Sequence, residues 1–250
     1  MTGAVTTAGV WKRYRLRVRT LADLAGDLLP SRRRALRPLR QAFWALSDVS
    51  VRVPPGTTLG LIGANGSGKS TMLKLLAGIM QPTRGRVDVQ GRLALLAHLG
   101  AGFHSDLTGR ENVFLQGAIL GLSARELKAK LDAILGFAEL EQFADVPVKF
   151  YSSGMALRLG FAVAVHAEPD IFLIDEAFAV GDQRFRERCL ERIRGFKAAG
   201  VTMVLVSHER DLVERLSDHT VLLSHGRVVA EGTAVETFGA YDRLVRSDGT

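Results

Sequence analysis

The sequence contains little cysteine and no long apolar run. Its one cysteine, Cys189, has no second thiol in the chain to pair with, which excludes an internal disulfide and favours a reducing compartment. We expect Cys189 to pack in a helix, the alternative being a reactive thiol. No stretch approaches the roughly 18 apolar residues that cross a bilayer, and residues 1–10 lack a signal-peptide layout. We therefore expect the chain to stay on the cytoplasmic side of a membrane.

Positive charge is concentrated near the N-terminus. The net charge is +7, yet residues 1–46 hold ten Lys or Arg with only Asp23 and Asp27 as acids, so the rest of the chain is slightly negative. Nucleic acid, anionic lipid headgroups and an acidic loop of a partner are all compatible targets, and so is a basic surface that is only solvated. Composition does not choose among them.

A glycine-rich loop is the strongest feature of the sequence. Residues 57–62 form an apolar run, residues 63–71 fit G-x-x-x-x-G-K-[ST] without a mismatch, and an apolar helix follows. The glycines let the backbone approach a polyphosphate, Lys69 reaches the β- and γ-phosphates, and the Ser70 hydroxyl can ligate magnesium. The motif predicts a P-loop NTPase. The predicted nucleotide cradle is Gly63, Ala64, Asn65, Gly66, Ser67, Gly68, Lys69, Ser70 and Thr71.

An acidic pair ends a second apolar strand. Residues 171–174 are Ile-Phe-Leu-Ile, and Asp175 and Glu176 follow them. After a P-loop, this order predicts that Asp175 holds Mg²⁺ directly or through water. Glu176 is placed to polarise the water that attacks the γ-phosphate.

Periodicity predicts alternating strands and helices. Val10 to Val18, Val49 to Val53, Arg86 to Val89 and Arg92 to Leu96 are predicted as strands, and Leu21 to Leu29 as a helix. Thr108 with Glu111, and Ser123 with Glu126, have capping-box spacing and predict two helix starts. Buried apolar strands that alternate with helices favour a parallel α/β core.

Residues 151–155 suggest a second anion site. They read Tyr-Ser-Ser-Gly-Met and open a helix, where small hydroxyl and glycine residues favour an anion. Simple helix capping is the alternative. Because the chain already has one phosphate cradle, a second one suggests that it completes a nucleotide site in another copy.

With these motifs, the sequence resembles the nucleotide-binding subunits of ABC transporters over nearly its whole length. Residues 151–155 resemble the L-S-G-G-Q signature, with departures at Tyr151, Ser153 and Met155. The resemblance implies that Ser152, Ser153 and Gly154 bind ATP, with Ser152 and Gly154 touching the γ-phosphate across a dimer.

The resemblance extends to shorter motifs on both sides of the signature. Residues 179–182 resemble the D-loop, with Asp182 as its ATP-binding aspartate, and His208 matches the switch histidine at the γ-phosphate. Tyr14 resembles the aromatic residue that stacks on adenine; Trp44 is the other candidate ring, and strand packing is the ordinary alternative. The family's usual glutamine near Leu96 is missing, because residues 97–104 read Ala-His-Leu-Gly-Ala-Gly-Phe-His.

The departures resemble one branch of that family, the ATPase subunits that export lipid-linked polysaccharides such as O-antigen, capsule, teichoic acid and galactan. Residues 97–104, 107–112, 151–155 and 175–182 carry this likeness. It implies an ATP-dependent homodimer, Mg²⁺ and a separate integral membrane subunit, with the chain peripheral on the cytoplasmic face of the inner membrane. An ABC-type ATPase for another cargo, or a soluble one acting on nucleic acid, is the alternative; we expect no nucleic acid partner.

The implied fold is α/β, a P-loop NTPase (RecA-like) core with an antiparallel β subdomain and an inserted α-helical subdomain. We expect the adenine-stacking strand and a basic insertion in 1–46, the α/β catalytic core in 47–96 and 166–250, and the helical signature subdomain in 97–165. Residues 20–43 are expected to contact anionic lipid.

Overall fold

The computed structural model describes residues 3–17, 40–96, 102–175 and 182–248. Within these ranges no helix is long and apolar enough to cross a membrane. The strands form two sheets, and helices cover the larger one. The predicted helix at 21–29 and the arginines at 32–34 lie outside the described residues.

The smaller sheet is antiparallel and has three strands in the order β2-β1-β4. The strands are β1 (Ala4–Arg17), β2 (Arg40–Val53) and β4 (Arg84–Gln90). Strand β1 is longer than the strand predicted from Val10, because its first residues pair with both neighbours. Its register shifts at three places between Thr7 and Arg13, so the alternation of its side chains is interrupted there.

The larger sheet has six strands in the order β5-β6-β7-β3-β8-β9. All neighbours are parallel except the final hairpin of β8 and β9. The strands are β3 (Thr58–Ile62), β5 (Leu93–Leu96), β6 (Ile171–Ile174), β7 (Thr202–Val206), β8 (His219–Ser224) and β9 (Arg227–Gly232). Although β4 and β5 are adjacent in the sequence, they enter different sheets.

The helices begin where the capping signals predict. Thr108 and Ser123 each accept a hydrogen bond from the backbone N–H three residues on, and both capping boxes are complete, which confirms the two predicted starts. The described helices are α1 (Lys69–Leu76), α2 (Gly109–Ile119), α3 (Ala124–Ala138), α4 (Ser153–His166), α5 (Gln183–Ala198), α6 (Arg210–Leu216) and α7 (Ala234–Asp248).

Alternating side chains of the larger sheet divide the core into two layers. Phe172 and Ile174 of β6 pack with α4 to α7, whereas Ile171 and Leu173 pack with α1 and the antiparallel sheet. A third cluster joins α2, α3 and α4. Each fully buried Leu or Phe contributes roughly 1.5–3 kcal/mol. This packing fixes the carboxyl ends of β3, β6 and β7 side by side at one edge of the sheet.

The cysteine belongs to the same core. Cys189 is buried on α5, and this burial raises the pKa of its thiol to about 12. The thiol is therefore protonated near neutral pH, as expected of a packing residue.

Candidate nucleotide-binding site

A cleft of about 350 Å³ opens where the two sheets meet. It brings together the glycine-rich loop, both strands of the antiparallel sheet that carry aromatic residues, and the end of β6. The cleft is lined by Tyr14, Phe43, Ala45, Asn65, Gly66, Gly68, Lys69, Ser70, Thr71, Asp175 and Val206. Most of the predicted phosphate cradle and the predicted magnesium ligands therefore share one cavity.

The loop has a backbone that only glycine fits. Gly63 has φ 145°, and a Cβ there would lie 2.2 Å from the Leu223 carbonyl oxygen. Gly68 has φ 112°, and its Cβ would lie 2.8 Å from the Ala45 carbonyl oxygen. Because both contacts are to backbone atoms that cannot move aside, the loop's shape is set by packing within the chain.

The loop presents positive charge and N–H donors to the cleft. The Lys69 ammonium donates to the carbonyl oxygens of Gly63 at 2.7 Å and Ala64 at 3.0 Å. Helix α1 begins after Gly68 without a side-chain cap, so no cap side chain competes for its first N–H groups. These groups and the helix dipole favour an anion, and a phosphate can replace the carbonyl contacts of the lysine.

The two predicted magnesium ligands face the same cavity. Ser70 lies in the first turn of α1, and Asp175 follows β6, where its N–H donates to the Leu96 carbonyl oxygen at 3.1 Å. A hydroxyl and a carboxylate are oxygen donors, which Mg²⁺ prefers when phosphate oxygens and water supply its remaining ligands. The donor set fits the predicted metal.

An aromatic pair forms the wall beside the loop. Tyr14 and Phe43 stack with ring centroids 5.5 Å apart and planes inclined by 26°. The Tyr14 hydroxyl is held by the Met80 sulfur at 3.1 Å, and the Phe43 ring remains half exposed, at 50%. Tyr14 is therefore the predicted ring that reaches the cleft, and Phe43 is a lining residue that the sequence analysis missed.

The other candidate ring lies elsewhere. Trp44 follows Phe43 on β2, so it points to the opposite face, where it packs edge-on against Trp11 at 5.2 Å. The structure does not bring Trp44 to the cleft.

A distant turn supports the loop. The Gly226 N–H donates to the Ser67 carbonyl oxygen at 2.9 Å, and the Gly226 carbonyl oxygen accepts from the Ser47 N–H at 2.8 Å. Gly226 has φ 75°, and a Cβ there would lie 2.6 Å from the Ala45 carbonyl oxygen. The β8–β9 turn thus joins the phosphate loop to β2. No local sequence pattern signals this contact, because it depends on residues far apart in the chain.

The signature segment does not reach the cleft of its own chain. Ser152 caps α4 by accepting from the Met155 N–H at 3.1 Å, and Ser152 and Ser153 are exposed. A Cβ on Gly154 would meet nothing closer than the Ser152 hydroxyl at 3.8 Å. None of these three residues lines the cavity described above.

Ion pairs tie the signature helix to the predicted D-loop residue. Asp182 caps α5 by accepting from the Phe185 N–H at 2.9 Å and also pairs with Arg158 of α4. The Phe185 N–H, followed by Arg158, lowers the pKa of Asp182 below its usual range. Arg158 pairs further with Glu139 at 2.9 Å, and Glu139 with Arg188 at 2.7 Å. This network holds α3, α4 and α5 together, and sequence spacing gave no hint of it.

One further predicted residue, His208, stands near the strand ends. His208 is exposed and follows β7, which lies between β6 and β3 in the sheet, so it is at the same edge as Asp175 and the loop. Glu176 and residues 179–181 lie outside the described residues, as do residues 97–101 of the segment that lacks the glutamine.

Comparisons with known proteins agree with this site. A family described as ABC transporter matches residues 46–179. The O-antigen export system ATP-binding protein RfbB of Klebsiella pneumoniae is 43% identical over 220 residues, which is 88% of this chain and 89% of that protein. Its namesake in Myxococcus xanthus is 48% identical over 80% of this chain and 46% of that protein.

A third relative is named for a different exported polymer. The teichoic acids export ATP-binding protein TagH of Listeria monocytogenes is 44% identical over 82% of this chain. The chain spans only 61% of that protein, so a large part of this relative has no counterpart in the match.

Solved structures share the fold. The structure of an ATP binding subunit of an ABC transporter superposes with a TM-score of 0.74 at 26% identity, over 98% of this chain and 99% of that one. A dimeric ATP-binding cassette in a post-hydrolysis state, bound to ADP and Pi, gives 0.72 at 22% identity, over 92% of this chain and 98% of that one.

Proposed function

The chain belongs to the ABC transporter family, and we propose that it is the ATP-hydrolysing subunit that powers export of a lipid-linked polysaccharide. The energy of ATP binding and hydrolysis would act on a separate integral membrane subunit. The observation that carries the ATPase part is the shared cleft, in which the phosphate loop, Asp175 and the Tyr14–Phe43 wall face one cavity.

The cleft accounts for each part of the nucleotide. The adenine stacks on Tyr14 beside Phe43, since base–aromatic stacking tolerates any flat base and here the ring is fixed by Met80. The triphosphate extends along residues 63–71, where Lys69 exchanges its two carbonyl contacts for β- and γ-phosphate oxygens.

Ser70 and Asp175 would hold Mg²⁺, which when bound supplies positive charge between the β- and γ-phosphates. Glu176, the residue after Asp175, orients the attacking water and accepts its proton. His208 contacts the γ-phosphate from the end of β7 and so distinguishes ATP from ADP.

Two copies close head to tail around two ATP molecules. Ser152, Ser153 and Gly154 support this arrangement, because they are accessible and stand apart from the cleft of their own chain. Ser152 and Gly154 of one copy then cover the γ-phosphate that Lys69 of the other copy holds, and Asp182 lies next to the same interface. Hydrolysis removes the shared phosphate and reopens the pair.

The relatives support the cargo. O-antigen and teichoic acid are the export substrates named for proteins that are 43–48% identical to this chain. We place the chain at the cytoplasmic face of the inner membrane as a peripheral subunit, and residues 20–43 as a basic segment near lipid. Charge reversal of Arg32, Arg33 and Arg34 should then reduce recruitment to membranes.

The test is ATP turnover by wild type and Glu176→Gln, alone and co-purified with candidate membrane subunits. We expect Glu176→Gln to lose turnover while still binding ATP. A membrane subunit of a polysaccharide exporter should raise turnover of the wild type, and the lipid-linked glycan should raise it further. Normal ATP turnover by Glu176→Gln would refute the assignment of Glu176 as the catalytic base. If only the membrane subunit of an exporter of another cargo raised turnover, the proposed polysaccharide substrate would be refuted.

A further inference from the structure

The two faces of the antiparallel sheet have different surroundings. Tyr14 and Phe43 face the nucleotide cleft, whereas Trp11 and Trp44 face away from it, with their rings in edge-on contact at 5.2 Å. Trp44 remains 36% exposed. The proposed ATPase function uses the first face and leaves the second one unexplained.

Two arginines meet on the exposed indole. The guanidinium carbon of Arg13 lies 5.4 Å from the centroid of the Trp44 ring, and that of Arg84 lies 5.7 Å from it. Sheet register brings them there, because Arg13 pairs with Trp44 on β2 and Arg84 of β4 pairs with Trp11. We call Trp11, Arg13, Trp44 and Arg84 the Trp–Arg cluster.

Within the part of the chain that the structure describes, both guanidinium groups have unused donors. Among residues 3–17, 40–96, 102–175 and 182–248, no hydrogen bond or ion pair involves either side-chain guanidinium. A guanidinium that lies against an aromatic ring uses its face for the cation–π contact, and its N–H groups remain available at its edge. Those donors form the fork that matches a phosphate oxygen pair.

The rest of this face is mainly basic. The outward rows of the sheet pair Arg52 and Asp88 with Thr6, Arg86 with Ala8, and Arg15 with Ala42, in addition to the two rows of the cluster. Asp88 is the one acid in these rows and is already paired with Arg86 at 3.4 Å. A negatively charged surface is therefore attracted to the whole face.

We propose that the Trp–Arg cluster is a docking surface for the anionic phosphate headgroups of a bilayer. The arginines bind headgroup phosphates. Trp44 inserts at the membrane–water interface, where its indole ring contacts acyl chains and its N–H remains hydrated. The choice of a bilayer over a nucleic acid rests on the proposed function, which places the chain at a membrane. The phosphate chemistry rests on the cluster alone.

The intrinsic tryptophan fluorescence of the chain can test whether the Trp–Arg cluster docks on a bilayer. Trp11 and Trp44 are its only two tryptophans, so intrinsic tryptophan emission reports on the cluster and on nothing else. The experiment titrates the full chain, without ATP, with vesicles of phosphatidylcholine alone and with vesicles of equal parts phosphatidylcholine and phosphatidylglycerol. Binding is measured by co-sedimentation, and emission is recorded in parallel.

We expect binding only to the anionic vesicles, with a shift of the emission to shorter wavelength. Arg13→Gln/Arg84→Gln should bind these vesicles about 25-fold more weakly, at about fivefold for each arginine near an anionic leaflet. Arg194→Gln/Arg215→Gln is the matched control, since it removes the same charge from exposed positions on α5 and α6 and should bind as the wild type does. Thermal melting of both variants confirms that they are folded.

Equal vesicle binding by the two double variants, or binding with unchanged emission, would overturn the proposal. It would also fail if single-stranded RNA shifted the emission and anionic vesicles did not. Vesicle binding needs no turnover, so a failure of the export proposal leaves this result unaffected, and a failure here leaves ATP hydrolysis unaffected.

Discussion

The phosphate loop and the signature segment both contain glycine, but the surroundings of these glycines differ. At Gly63 and Gly68 a Cβ would collide with backbone carbonyl oxygens of the same chain, at 2.2 Å and 2.8 Å. At Gly154 a Cβ would find ordinary space, because its nearest neighbour would be 3.8 Å away. The first region is shaped by its own fold, whereas in the second the fold leaves room beside the glycine, as the proposed contact with a second copy requires.

The supports of the two regions differ in the same way. The phosphate loop is held by a backbone hydrogen bond to the β8–β9 turn and by the buried strands beneath it. The signature helix packs its buried side chains into the core, and ion pairs among Arg158, Asp182 and Glu139, whose side chains are partly exposed, tie it to α3 and α5. We therefore expect changes in the loop to affect stability, and changes near the signature to affect turnover.

The largest effect should come from Gly63→Ala. The new Cβ would force the Leu223 carbonyl oxygen or the loop to move, which we expect to destabilise the fold by about 3 kcal/mol and to abolish ATP binding. Gly200→Ala is the control, since Gly200 also has a positive φ, of 76°, but nothing lies within 4 Å of its Cβ position. Thermal melting and nucleotide titration distinguish them; equal losses would show that strain at φ, rather than collision, explains the glycine.

Removal of the aromatic wall should have a smaller effect. Tyr14→Ala deletes the ring beside Phe43 and should weaken ATP binding about tenfold, since one stacked base contributes about 1–3 kcal/mol. Trp44→Ala, one residue from Phe43 but on the other face, should leave ATP affinity unchanged. Fluorescent-nucleotide titration measures both, and an equal loss in Trp44→Ala would show that our assignment of faces is wrong.

On the signature side, Arg158→Ala should slow turnover by about tenfold, because misplaced groups around a reacting centre lower the rate steeply. It removes the pairs to Asp182 and Glu139 together, and ATP affinity of the isolated chain should not change. Arg188→Ala removes only one pair to Glu139 and serves as the control. A fall in ATP affinity instead of turnover would contradict the division into two regions.

The smallest effect concerns acid pH. The pKa of Glu126 is lowered by its hydrogen bonds to Ser123 in the helical region, and that of Asp182 is lowered by the Phe185 N–H. A lowered pKa in the folded state contributes stability above the unfolded value, which is about 4 for these groups, and that stability is lost as the pH falls below it. Melting temperatures of wild type and Glu126→Gln from neutral to acid pH should converge as the carboxylate protonates. If the two melting temperatures kept a constant difference at all pH values, the stabilising role assigned to the Glu126 carboxylate would be contradicted.

Local sequence predicted much of the fold, because its signals are local. The loop motif, the two capping boxes and the apolar strands each depend on neighbours in the chain, and the structure places them as expected. The division of residues 84–96 between two sheets was not predictable in this way, since it depends on distant pairing partners. The Gly226 contact with Ser67 has the same origin.

The aromatic residues show a second limit. To assign Tyr14 or Trp44 to the cleft, one must know which face of the sheet each side chain of β1 and β2 points to. The register between these two strands shifts three times before Arg13. Each shift adds one residue to one of the two strands and so interrupts the alternation of side chains along that strand. The sequence could therefore offer two rings but could not choose between them, and it passed over Phe43.

The most direct test of the central claim is the ATP-dependent dimerisation of Glu176→Gln, compared by light scattering with Glu176→Gln/Gly154→Glu. Glutamate fits the first turn of a helix, so α4 should remain stable, yet it would place a carboxylate where the phosphate of the other copy must approach. The account predicts that ATP turns Glu176→Gln into a dimer, while the double variant binds ATP with the same affinity and stays monomeric. A dimer of the double variant, or a loss of its ATP affinity, would contradict a nucleotide site completed by a second copy.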